Sequence, residues 1–257
     1  MTEFLYFLFY SFTGWVYETL LCSVKERRFV NRGFLTGPYC PIYGCGALID
    51  VVLLRPFSNP LVLFLLSMAL CSVLEYITSY LMEKIFHARW WDYSHMKFNL
   101  NGRICLLGAL AFGAMSLVLV LFLHPLVVSV AAAIPPRVRL IGGSVLAAGF
   151  AADVVTTLAG LASLDTRLRE FSAMLKEEAE SAGTAFAERL KRRPGKLSAA
   201  HRAFLLKMSF QQRRTLRSFA NFHSAKYERA VEELRALLAE RVKNRKKTDA
   251  AGDYAEN

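Results

Sequence analysis

The sequence predicts an all-α protein, a polytopic membrane helix bundle followed by a C-terminal cytoplasmic helical hairpin, and three observations carry that expectation. Of its 257 residues, 54% are hydrophobic and the mean hydropathy is +0.30, too apolar for an ordinary soluble chain. The apolar residues gather before residue 161, in runs near the roughly 20 residues a helix needs to cross about 30 Å of hydrocarbon. Charge is segregated as well: residues 1–160 hold 11 Lys and Arg against 8 Asp and Glu, and the remainder 21 against 13, giving net charges of +3 and +8. The expected division is a transmembrane domain at 1–161, a basic cytoplasmic tail at 162–247 and a disordered end at 248–257.

Taken in order, the spans fall at residues 2–24, 39–54, 60–86, 103–124 and 138–161. The second is short, starts among Pro38 and Pro41, and contains Gly44, Gly46 and Asp50, so it either crosses or re-enters. Basic residues favour cytoplasmic loops. Lys25, Arg27, Arg28 and Arg32 follow the first span, and Lys84, Arg89, Lys97 and Arg103 border the third loop, whereas the second loop has only Arg55 and the fourth Arg137 and Arg139. That alternation predicts a multi-pass cell-membrane protein with its N-terminus outside and its C-terminus in the cytoplasm. Residues 1–5 have no basic n-region and include Glu3, so no cleavable signal peptide is expected.

The tail reads as helical from its spacing of apolar residues: Leu164, Leu168, Phe171 and Leu175, then Tyr227, Val231, Leu234 and Leu238. Pro194 and Gly195 divide it into two helices, the second capped by Ser198 and ending in the basic run 243–247. Cys22, Cys40, Cys45, Cys71 and Cys105 all lie in or beside apolar runs without a metal-binding spacing. They are expected to be reduced thiols, and neither a metal nor a cofactor is expected.

Ionisable groups at membrane depth are costly unless paired or solvated. Glu18, Glu75 and Asp153 fall inside spans and Glu83 at an interface. With Arg32, Tyr43 and Arg103 they are expected in the cytoplasmic half, lining a water-filled or ligand-filled cavity. The alternative is that Arg103 pairs with Glu75 or Glu18 to set helix packing. Residues 32–46, RGFLTGPYCPIYGCG, hold Gly33, Gly37, Pro38, Pro41, Gly44 and Gly46 and cannot be helical throughout. Their free backbone groups line a site or make a tight entry turn. In residues 87–103, HARWWDYSHMKFNLNGR, the aromatic residues Trp90, Trp91 and Tyr93 suit an interfacial belt, which leaves Asp92 and Asn99 unexplained. Asn99 or Asn101 is expected to cap a helix starting at Gly102, placing a phosphate-binding end beside Arg103.

These segments, with GWVYE at 14–18, LEY at 74–76 and EKIFHARWWDYSHMKFNLNGRICL at 83–106, resemble the ABC-transporter type IV permeases, a CmpB-like family that includes related animal transmembrane proteins. The resemblance covers about the first two thirds of the chain, and QQRRTLRSF at 211–219 is similar to the tails of some bacterial members. It implies a permease-like transport component, marks Glu18, Arg32, Tyr43, Glu75, Trp91, Asp92, Tyr93, Asn99 and Arg103 as the expected substrate- or ion-binding positions, and supplies no catalytic role. The sequence has no phosphate loop, so an ABC-type assembly would need a separate ATPase subunit.

The expected function is therefore a transport component with a polar site open to the cytoplasm, more in keeping with a non-enzyme. Two alternatives stand: a membrane scaffold or sensor acting through its basic tail, and an intramembrane lipid-modifying enzyme using Asp92, Glu75 or Glu18 with Arg103. Membrane lipids and a cytoplasmic protein partner of the tail are the expected contacts. Nucleic acid is disfavoured because no recognised binding motif accompanies the charge.

Overall fold

A computed structural model describes residues 1–181, 199–219, 222–224 and 226–253, excepting the side chains of residues 181, 199, 202 and 241–253. Among the described residues the fold is all-α apart from one two-stranded hairpin. In chain order the elements are α1 (Thr2–Glu26), α2 (Pro41–Leu53), α3 (Pro60–Phe86), β1 (Asn99–Leu100), β2 (Ile104–Cys105), α4 (Leu106–Val118), a π turn (Leu119–Leu123), α5 (His124–Ala133), α6 (Pro136–Leu161), α7 (Leu164–Ser181), α8 (Ala199–Lys207), α9 (Phe210–Ser218) and α10 (Glu228–Asp253). The chain divides into two compact units, Met1–Lys84 with Trp91–Leu158, and Ile85–Trp90 with Ala159–Asn257.

Among the described residues, three helical stretches are long and apolar enough to cross a membrane: Pro60–Phe86, Leu106–Ala133 and one that starts at Pro136. The 25 residues of α1 are long enough but carry Glu3 and Glu18. The 13 residues of α2 rise only about 20 Å, short of a full crossing.

Local signals explain the boundaries. Asn59 caps α3, its Oδ1 accepting from the amides of Leu61 at 2.9 Å and Val62 at 3.3 Å, and Pro60 follows at the first helical position. α1 ends where Arg27 turns left-handed at φ 50°. The fourth segment runs to Ala133, beyond the expected end at His124. Its π turn, Leu119–Leu123, lies immediately before His124 and Pro125 and adjusts the ladder where proline lacks an N–H.

The first unit buries polar side chains among apolar ones and turns large apolar side chains outward. Ser11, Asp50 and Thr157 are 0% exposed, while Leu20, Val24, Ile77, Phe122 and Ile141 are all at least half exposed. This suits a lipid surround, where buried polar groups satisfy one another. α1 and α2 cross closely on glycine: a Cβ at Gly14 would overlap the Tyr43 ring, and one at Gly44 would lie 2.6 Å from the carbonyl of Phe7. Tyr6, Tyr10, Ala47 and Ala131 form a small buried cluster, where Tyr10 Oη and His124 Nδ1 are hydrogen-bonded at 2.7 Å.

In the second unit the eight periodic residues singled out in the tail are all buried, with Phe171 and Leu234 at 0% exposure. The tail holds more breaks than a two-helix hairpin. A capping box at Ser209 and Gln212 starts α9 afresh after α8, and α10 begins only at Glu228. Residues 194, 195 and 198, expected to form the turn and cap, lie outside the described residues. The stretch expected to be disordered, 248–257, coincides with α10 as far as Asp253.

Trp90 also belongs to this unit, 2% exposed and packed edge-on against Phe86 and Phe222 with centroids at 5.0 and 5.2 Å. It is a core residue, not part of an interfacial belt. Arg89 and His223 exchange backbone hydrogen bonds at 2.7 and 2.8 Å, and Ser224 Oγ donates to the carbonyl of His87 at 3.1 Å, so residues 87–90 form an edge for the tail.

Candidate functional site

Residues 27–40 are irregular, and their backbone groups bond to side chains of the bundle. The amide of Val30 donates to Ser23 Oγ at 3.0 Å and that of Arg32 to Thr19 Oγ1 at 3.4 Å. Asn31 Oδ1 receives Trp15 Nε1 at 2.8 Å and the amide of Gly33 at 3.2 Å. Asp153, on α6, accepts from the amides of Thr36 at 3.0 Å and Gly37 at 2.7 Å. Gly37 leaves no room for a larger residue, since a Cβ there would lie 2.7 Å from the Tyr39 ring. Asp153 thus serves as the acceptor that holds a glycine turn against α6. Pro38 precedes the α2 entry, and Pro41 opens α2 at a position where no N–H is needed.

Two further carboxylates meet phenols. Tyr43 Oη donates to Glu18 Oε1 at 2.6 Å, with Arg32 Nε 3.7 Å from the other oxygen of Glu18. Tyr93 Oη donates to Glu75 Oε1 at 3.2 Å. Burial, with the Glu75 and Glu18 carboxylates nearby, raises the Tyr93 phenol above its ordinary range, so it remains a donor.

Arg103 pairs with neither Glu18 nor Glu75. Its guanidinium donates to Glu83 at 2.6 Å and Ser79 at 3.3 Å, and it lies over the rings of Tyr76 and Tyr80 at 5.5 and 5.4 Å. α4 starts at Leu106, not Gly102, and its cap is Cys105, whose Sγ accepts from the amide of Gly108 at 3.4 Å. Asn99 and Asn101 lie instead in and beside the β1–β2 hairpin, with Asn101 and Gly102 at φ 55° and 68°. Asn-Gly is the residue pair that favours such a turn. Asn99 accepts from the amide of Gly102 at 3.0 Å, and Asp92 accepts from the Ser94 amide at 2.9 Å. Trp91 Nε1 donates to the Arg103 carbonyl at 3.0 Å. The loop is a scaffold that delivers Tyr93 to Glu75.

Between α1, α2, α3 and α4 lies a cavity of about 330 Å³. Of the sequence candidates, Tyr43, Glu75 and Gly46 line it; Arg32, Arg103 and Asp153 do not. Asp50, which is not among those candidates, also lines the cavity and is 0% exposed. Its Oδ2 accepts from Ser116 Oγ and, at 3.6 Å, from Cys71 Sγ. The signal that marks it in the sequence is a lone charge in an apolar 13-residue helix. Among the described residues, no group of three His, Cys, Asp or Glu side chains is placed to hold a metal, and all five cysteines are free.

An all-α bundle with polar groups inside, apolar residues outside and three span-capable helices defines a membrane protein. Residues 5–158 match the model of the family described as "Putative ABC-transporter type IV", the CmpB type. The match covers more than half of the chain, which belongs to that family, and the protein is transport-related. No curated protein and no solved structure matches it.

Proposed function

We propose that the chain is a permease-like transport component and that its polar site is the cavity between α1, α2, α3 and α4. The single observation that carries this reading is the pair of buried carboxylates, Asp50 and Glu75, on the wall of a cavity of about 330 Å³ inside a membrane bundle. A group that does no more than hold helices together has no need of a void beside it, and a cavity of this size suits a small molecule. Glu18 reaches the same wall through Tyr43, and the hairpin loop through Tyr93. The short α2, entered through a Gly and Pro turn, is the element suited to move, because side chains rather than a regular ladder hold the turn.

In the proposed topology the N-terminus is outside and the basic tail cytoplasmic, following the distribution of Lys and Arg. The tail then meets the anionic inner leaflet or a cytoplasmic partner, and a separate ATPase would dock on that side.

The test compares cells expressing the full chain with cells expressing Glu75→Gln at equal membrane abundance, by profiling solutes inside and outside. At least one solute should change its distribution with the native chain and revert with the variant. Identical profiles in both strains would end the transport reading.

A further inference from the structure

The cavity's lining also indicates what it holds. Among the described residues its ionisable lining groups include two carboxylates, Asp50 and Glu75, and no Lys, Arg or His. The Asp50 carboxylate is incompletely satisfied: Oδ2 has Ser116 and Cys71, and the Ser67 hydroxyl is also close to the carboxylate, yet Oδ1 receives no hydrogen bond of ordinary geometry although the residue is 0% exposed. A buried acceptor left bare is costly and calls for a donor or a positive charge.

The rest of the wall is aromatic and aliphatic. Tyr43 lies edge-on to Phe112 with centroids at 6.0 Å, and Tyr17 is 6.4 Å from Tyr43; all three rings line the cavity. Ring faces attract cations and need no counter-charge of their own. A bare metal ion would require several oxygen ligands close together, and this wall is mostly hydrocarbon around a volume far larger than an ion.

We propose that the cavity binds a small organic cation, an amine or quaternary ammonium with an apolar body. Its positive centre is held by Asp50 and drawn by the field of Glu75, and its body packs on Tyr17, Tyr43 and Phe112. This deepens the transport reading by naming a solute class. Binding is measured apart from transport: a cation that binds but is never moved sinks only the transport reading, and a transported solute indifferent to the cation sinks only this one.

The purified full chain in detergent is titrated with radiolabelled benzyltrimethylammonium. Unlabelled competitors are its neutral carbon isostere 2,2-dimethylpropylbenzene and the anion benzenesulfonate. Saturable binding that only the cation displaces is expected, weakened about tenfold or more in Asp50→Asn, as for loss of a charged hydrogen-bonding group. Because Asp50→Asn can unsettle the bundle, a second measurement uses the native chain. Cys71 lines the cavity, so the cation should slow its alkylation by N-ethylmaleimide, read by peptide mass spectrometry. Equal displacement by the neutral isostere would make the cavity merely apolar. Protection of Cys71 by sodium ion alone would make it an inorganic site, and an absence of both saturable binding and protection would overturn the proposal outright.

Discussion

Replacing Gly44 by alanine tests the contact that shapes one side of the cavity. The new Cβ would collide with Ser11 Oγ and sit 2.6 Å from the carbonyl oxygen of Phe7. Ser11 can rotate away, but Phe7 O is helix backbone and cannot. Restoring ordinary contact needs roughly 0.8 Å of extra separation, and overpacking of this kind costs about 1–3 kcal/mol. Helix separation would also loosen Tyr43 above Gly14, where the ring already occupies the space any added Cβ would need. The matched control is Gly149→Ala in α6, where a Cβ meets nothing within 4 Å and alanine should gain about 0.5–1 kcal/mol of helix propensity. Thermal unfolding in detergent, followed by a thiol-reactive dye that reports exposure of buried Cys40, should place Gly44→Ala below the native chain and Gly149→Ala at or above it. If Gly44→Ala melts with the control, the close crossing of α1 and α2 is wrong, and so is the cavity wall built on it.

Three other variants examine the remaining supports. Trp90→Ala should cost the second unit about 3–5 kcal/mol, the usual loss for a buried tryptophan, and limited proteolysis should then cut the tail faster; an unchanged cutting rate would contradict its packing on Phe222. Asp153→Ala removes the acceptor of two backbone amides at 3.0 and 2.7 Å, so hydrogen exchange at Thr36 and Gly37 should quicken by about tenfold or more, with exchange in α1 unaffected. Arg103→Lys keeps the charge but loses the planar group that reaches Glu83 and Ser79 while covering two tyrosine rings, and it should lower stability by about 1 kcal/mol. A melting temperature equal to the native one would reduce Arg103 to a simple point charge.

Much of the fold is legible in the order of residues. α3 begins and ends at the expected residues, 60 and 86, because an Asn-Pro start and a long apolar run are local signals. Glu18 and Glu75 stand out because a charge in an apolar run is conspicuous wherever it points. The Asn-Gly pair at 101–102 is equally visible, yet it reads as a helix cap, since the apolar run behind it suggests a helix that starts too early. Arg103 shows the limit most clearly: its partner is Glu83, 20 residues away in sequence, and nothing in the spacing ranks Glu83 above Glu75. Trp90 is similar, because its partner Phe222 lies on a segment whose own periodicity gives no hint of residues 87–90.

By itself, then, the order of residues determined that this chain is helical, that its first part belongs in a bilayer and that its tail is basic and amphipathic. Those properties are sums over neighbouring positions, and hydropathy, charge and helical period are all additive along the chain. Only the tertiary structure decided which carboxylate meets which hydroxyl, that Asp50 is wholly buried against Ser116, and that a cavity opens beside it. Such pairings depend on which faces of distant helices come together, and that depends in turn on whether a single hydrogen atom at Gly14 and Gly44 leaves room for two helices to touch.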